Sequence, residues 1–561
     1  MYCKHFFRQG NYEEAIKVAQ QAYDIARKIK YEDGVGISIA LIGRVQWGQS
    51  YYKEALEYFE KALKIQNKID DKYGIALNLN NIGIVHGEQG RYDEAMRYFD
   101  KALTIRKKIR DKSGIAATLN NIGLVGWRLG YYDDALKYYE ESLSIHREIG
   151  DKSGIATTLN NIGTVHSNQG RYDEALRHYE ESLTTRKEIG DKSGIGLSLN
   201  NIGVIHHSQG EYDIALKYCE ESLKIRKEIG DKSGLASSLN NIGAIHYDRC
   251  QYDEALKYFE DALSIEKEIG NKFGITRCLN NVGIVRSIQA QYDEALKYFE
   301  NALSIGNEIG YKSGIALSLN NIGVVHYNRG QYDRVLKYYE ESLKIRKEIG
   351  DRLGIASTIS GLAEFYLSIE VFDRGIHNAE EGVSIFEEIG VKTEILSTLA
   401  TLIYGYVETG NIKSAKKVIK RVYKIEKAIG FRISKISLAL SKFHEVSGEL
   451  NKAISHAKEA VRFAKDRKEM AYQAQAYLRL CELCKEDIKE YAQNSLNIAK
   501  KSNSLPLIWK SYYHLYKATK NENYLTKTKE YLDKQIGHIS PEYVSNFKKL
   551  ASKYTHKKIV I

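Results

Sequence analysis

The chain has 561 residues, 43% of them hydrophobic, which suits packed structure and excludes a disordered tether. No run approaches the roughly 18–20 apolar residues of a membrane span. The start, "MYCKHFFRQG", lacks the apolar stretch of a signal peptide, so we expect a cytoplasmic chain with no membrane partner. Net charge is +11 and uneven: residues 391–561 carry +17 and the remainder −6. The cysteines Cys3, Cys219, Cys250, Cys278, Cys481 and Cys484 are scattered, which reads as reduced thiols rather than a disulfide framework.

Length alone suggests several domains, but a forty-residue repeat overrides that prior. "LNNIG" begins at 79, 119, 159, 199, 239 and 319, and "LNNVG" at 279. A glycine before "RYDEA"-like strings recurs at Gly90, Gly130, Gly170, Gly210 and Gly330, with Ser50, Cys250 and Ala290 in the same slot. Gly10, Glu370, Gly410 and Gly448 fit it too. Only nine residues precede Gly10, so either the first helix is a short cap or the chain is the repeat part of a longer protein.

The unit "DKSGIGLSLNNIGVIHHSQGEYDIALKYCEESLKIRKEIG", 191–230, reads as two helices. The first is expected from about Ser193 to Ser208, with Leu199, Ile202, Ile205 and His206 on one face. Gly210 ends it. The second is expected from about Tyr212 to Ile229, with a stripe of Ala215, Tyr218, Cys219, Ser222 and Ile225 that leaves Arg226 outside. Asp231 or Ser233 caps the next helix. Such a pair cannot bury its apolar face alone, so repeats must stack into an all-α solenoid.

Leu-x-x-Ile-Gly, then Gly-x-Tyr-Asp-x-Ala, then a small residue near Ser222 resembles the tetratricopeptide repeat. The forty-residue length with "LNN" and "DKSG" is similar to the long-repeat subclass of kinesin light chains, GoLoco-binding polarity adaptors and MalT-like regulators. The resemblance implies a right-handed superhelix of stacked antiparallel helix pairs, about twelve or thirteen by spacing. We read 1–390 as the regular array, 391–535 as degenerate basic repeats and 536–561 as a capping helix and tail.

In the family, first helices line the concave side. Setting Ile202 and Gly203 against the partner helix puts Leu197, Asn200, Val204 and His207 on the open face. The first asparagine of each pair is then expected in the groove: Asn80, Asn120, Asn160, Asn200, Asn240, Asn280 and Asn320. The second is expected to bond backbone at the repeat junction. An amide offers two donors and an acceptor, so a ladder of them pairs with an extended peptide backbone, as the resemblance also implies. Trp47, Trp127, His207, Tyr247 and Tyr327 share one slot beside it and are candidate anchors. The alternatives are that the amides bond one another across the stack, and that the aromatics fill gaps between helices.

His86, His166, His206, His246 and His326 suggest a metal ladder only at first sight. Neighbouring helices lie about 8–10 Å apart, too far for equivalent imidazoles to share an ion at about 2.0–2.1 Å. Cys481-Glu-Leu-Cys484 lacks the second pair a zinc site needs, and "AYLRLCELCKE" reads as helix throughout. "DKSG" lacks phosphate-loop spacing. We expect no cofactor, no metal and no catalysis. Segments 413–427 and 458–469 are rich in Lys and Arg, which reads as solvated helix surface. The expected function is a scaffold or adaptor that holds an extended protein or peptide segment. One alternative is the sensory part of a regulator whose effector domain lies upstream of Met1. Another is nucleic-acid or acidic-partner binding through the basic third.

Overall fold

The structure, a computed structural model, describes residues 12–389, 391–429 and 432–555. Gly10, Cys3 and the end of the tail fall outside the described residues. Among the described residues every regular element is a helix, and consecutive helices pair antiparallel through the chain.

In the unit at 191–230 the helices run Lys192–Gln209 and Tyr212–Glu228. Gly210 between them takes φ +83°, the left-handed cap. Asp231 is the N-cap of the next helix: its carboxylate accepts the Gly234 N–H at 2.9 Å, a role Ser233 does not take. Gly203 lets the pair close, since a Cβ there would meet Cys219 Sγ at 2.7 Å.

Buried polar bonds hold each helix pair together and join it to the next. Ser222 Oγ donates to the Gly196 carbonyl at 2.6 Å, and Ser182 does the same to Ala156 at 2.8 Å. Arg226 corrects the sequence reading. It is only 4% exposed, and its guanidinium donates to the Gly234 carbonyl beyond the loop. Arg186 reaches Gly194 O at 2.5 Å, and Arg106 reaches Thr118 Oγ1 at 2.8 Å. A buried cation needs a counter-charge, and the loop aspartate supplies it, as in Arg106–Asp111 at 3.8 Å and Arg346–Asp351 at 3.9 Å. His146 faces Asp151 at 2.9 Å. Where the cation becomes Glu266, the aspartate becomes Asn271. Burial pushes the Glu266 carboxyl up to about 7.

First helices of neighbouring repeats pack on one another, Lys192–Gln209 on Lys232–Asp248 for example, and so form the inner side of the curve. The curve closes on itself. The loops that enter first helices (the roots) land on the helix-to-helix turns (the tips) one superhelical turn earlier. Ser50 Oγ meets Asn271 Oδ1 at 3.4 Å, 221 residues away, and accepts the Phe273 N–H at 3.3 Å. Lys272 Nζ lies 4.6 Å over the Tyr51 ring. Ile269 is buried with Tyr12, Ile42 and Val45, and Ile309 with Tyr52, Ile82 and Val85.

The later turn repeats the arrangement. Tyr252 OH donates to Glu469 at 3.4 Å, Lys468 pairs with Asp253, and Ser504 Oγ donates to Asn328 O at 2.7 Å. The last helix, Pro541–Tyr554, packs Phe547 and Tyr543 against Tyr332 and Phe365, while Trp509 joins the same cluster. It ties the chain's end to a repeat one turn back.

Candidate functional site

The inner face of a first helix centres on Leu197, which is 38% exposed, with Asn201 and Val204 half-buried beside it. Asn200 lies on the shoulder turned toward the next repeat and is 5% exposed. The expectation that first asparagines stand open in the groove is therefore corrected. Asn80, Asn160, Asn240 and Asn320 are 6%, 6%, 7% and 6% exposed, Asn280 is fully buried and Asn120 half-buried.

The reason lies in their bonding. In five of the repeats the second asparagine donates its Nδ2 back to the first asparagine's Oδ1 in the preceding repeat. Asn121 bonds Asn80 at 3.0 Å, Asn161 bonds Asn120 at 3.0 Å and Asn201 bonds Asn160 at 2.9 Å. Asn281 bonds Asn240 at 2.7 Å and Asn321 bonds Asn280 at 3.4 Å. The junction bonds are thus amide to amide, not amide to backbone. Ala40 takes the place of the acceptor in the preceding repeat, and there the Asn81 Nδ2 is buried without a partner. The Asn200–Asn241 rung is not formed, and Asn200 Oδ1 is left unpaired. Asn320 Oδ1 takes the Thr358 hydroxyl at 3.0 Å instead.

A helical wheel explains the exchange of roles. Adjacent residues stand about 100° apart, so a modest error in the assumed centre of the face moves one amide into the stack and the other toward the groove. The repeating pair was legible in the sequence, and its orientation was not.

The slot aromatics are half-buried against the second helices. Tyr247 meets Tyr252 edge-on at 5.6 Å, and Tyr327 stacks on Tyr332 at 5.9 Å. His207 tilts against Tyr212 at 5.8 Å, and its Nε2 lies 2.7 Å from Asp248 Oδ2. Trp47 and Trp127 join the apolar clusters of the neighbouring helix pairs. The other histidines stack on rings of the second helix: His86 on Tyr98, His206 on Tyr218 and His246 on Tyr258, at 5.3, 5.5 and 5.3 Å. Among the described residues no group of three or more His, Cys, Asp or Glu is arranged to hold a metal. Cys481 is buried, its thiol pushed up to about 12 by burial. The helix ends at Leu483, one residue short of Cys484 and shorter than the sequence suggests.

The later inner face is charged, which the sequence reading missed. Lys435 bonds Glu364 two repeats back, Lys442 pairs with Glu408 of the preceding repeat at 3.2 Å, and Arg479 with Glu445 at 2.8 Å. Arg432 pairs with Glu426 and Glu459 at 2.7 and 3.1 Å. Four cations of the basic third, Arg432, Lys435, Lys442 and Arg479, are thus paired within the fold. Among the described residues no helix is long and apolar enough to cross a membrane.

These features define a class: an all-helical repeat solenoid with an inward concave face. The tetratricopeptide repeat family model matches 2–68, 38–108, 114–188, 194–268 and 275–348, and the chain belongs to that family. The model described as anaphase-promoting complex subunit 5 matches 370–487. No curated protein matches the chain. Among solved structures it is similar to BtubC (BKLC) from P. vanneervenii, with 18% identity over 39% of this chain and 92% of that one, TM-score 0.34. It is also similar to a Rap protein complexed with competence and sporulation factor, with 14% identity over 63% and 98%, TM-score 0.48. Apo RapI shares 16% identity over 49% and 98%, TM-score 0.40. Likenesses of this degree carry no functional argument.

Proposed function

We propose that the chain is a non-catalytic, cytoplasmic scaffold or adaptor that holds an extended peptide segment of a protein partner along its concave face. The observation that carries this is the half-exposed second asparagine. Asn121, Asn161 and Asn201 each spend Nδ2 on the preceding repeat, and no group among the described residues donates to their Oδ1. A row of pre-oriented acceptors suits the N–H groups of an extended backbone, because holding them still adds no further entropy cost on binding. Leu77 and Leu197, each 38% exposed, supply apolar contact for side chains between the rungs. The first asparagines that form rungs, Asn80, Asn120, Asn160, Asn240 and Asn280, then act by setting those acceptors. Trp47, Trp127, His207, Tyr247 and Tyr327 wall the groove.

A photo-crosslinking residue placed at Leu197, and separately at the exposed Lys224 on the second helix, tests this in cells. Capture of one discrete partner from 197 alone, lost when Val204→Arg is added, supports the groove. Capture from 224 alone moves the function to the outer face.

A further inference from the structure

The two superhelical turns expose the same structural position differently. In the repeats up to residue 429 an isoleucine stands at the end of the second helix. In the second turn Ile269, Ile309 and Ile349 are 3%, 5% and 5% exposed, because they seat against first-turn tips. In the first turn Ile109, Ile149 and Ile189 are 39%, 38% and 38% exposed. These roots lie on the opposite axial side, where no earlier turn precedes them among the described residues. At the other end, tips of the last repeats are open. Leu450, 51% exposed, stands where Tyr52 and Tyr252 receive roots, and Val446 beside it is 47% exposed.

We propose that a second copy of this chain docks end-on, its first-turn isoleucine row seated on the open tips of the last repeats, Val446–Leu450 among them. The contact continues, between copies, the root-on-tip interface the chain already makes with itself. Charge favours this orientation. Lys107, Lys108 and Arg110 flank the root at Ile109, whereas Glu445 and Glu449 flank the tip, so a root meeting a tip is attractive and a root meeting a root is not. The contact joins two different surfaces stacked along the superhelix axis, so copies add in an open series. It uses only the ends and leaves the concave groove clear.

Sedimentation of the full chain over a range of concentrations tests the proposal, beside a root variant (Ile109→Lys, Ile149→Lys, Ile189→Lys) and a tip variant (Leu450→Asp). Each variant is first checked for unchanged helicity and melting. Wild type should gain mass steadily with concentration and lose that gain at high salt. Each variant alone should stay monomeric, because every contact needs one root and one tip. An equimolar mixture should form dimers and nothing larger, each partner supplying its intact face. A wild type that stays monomeric up to its solubility limit overturns the proposal. So does a tip variant that dimerises by itself, which would show a root-to-root contact.

Discussion

The first-turn root at residues 186–194 and the second-turn root at 266–274 begin from the same repeat and end in different chemistry. The first keeps Arg186 and Asp191, with Ser193 half-buried in the first turn of the next helix. The second has Glu266, Asn271 and Phe273, and it lies on Ser50 and Tyr51. The next root carries Tyr311, whose ring lies 4.3 Å from Phe273. Both roots form the same helix cap and satisfy the same stack. The difference shows that one repeat answers to two neighbours: the adjacent repeat, which constrains every unit alike, and the turn below, which constrains only some.

Truncation at the shared isoleucine should separate the two most strongly. Ile309→Ala removes a seated side chain and should cost about 2–4 kcal/mol, whereas Ile189→Ala should cost less than about 1 kcal/mol. Urea unfolding with hydrogen exchange at each root reads both, and equal costs would break the comparison.

Glu266 sharpens it through pH. Its folded carboxyl titrates at about 7, above the ordinary 4.5, so folding favours the protonated form. Below pH 4.5 both states hold the proton and nothing is lost. Stability falls as pH rises toward 7, by up to about 3 kcal/mol, and the loss is complete above it. Glu266→Gln should flatten that slope, which a root built on Arg186 lacks.

Asn160→Ala should act the same way wherever it is made in the ladder. It strands the Asn201 Nδ2 and should cost about 1–2 kcal/mol by denaturation. Asn81→Ala should cost less, because no rung is there to lose. Smallest of all, Lys468→Ala breaks an exposed ion pair with Asp253 across the turns and should leave the melting midpoint unmoved.

The repeat, its helix ends and its capping glycines were readable because each is set by residues close in sequence. Lys192–Gln209 and Tyr212–Glu228 lie within a residue or so of their expected bounds. The Arg226 anchor escaped notice because periodicity ranks a cation as surface, whereas its long stem buries and its head finds a carbonyl and an aspartate across the loop. The turn contact escaped because pitch sums many small rotations, which no single repeat encodes. Its trace was nevertheless present: Phe273 and Tyr311 break the "DKSG" pattern at the roots where another turn lies beneath.

The 221-residue offset between Ser50 and Asn271 also bears on heredity. Near-identical repeats invite unequal recombination, which deletes or adds whole units without disturbing any bond between adjacent repeats. A change of one unit between these two loops would nonetheless bring the wrong root over Ser50, without Phe273 to close the seam. The seam therefore acts as a gauge of copy number, penalising gain or loss of units that the stack itself would tolerate.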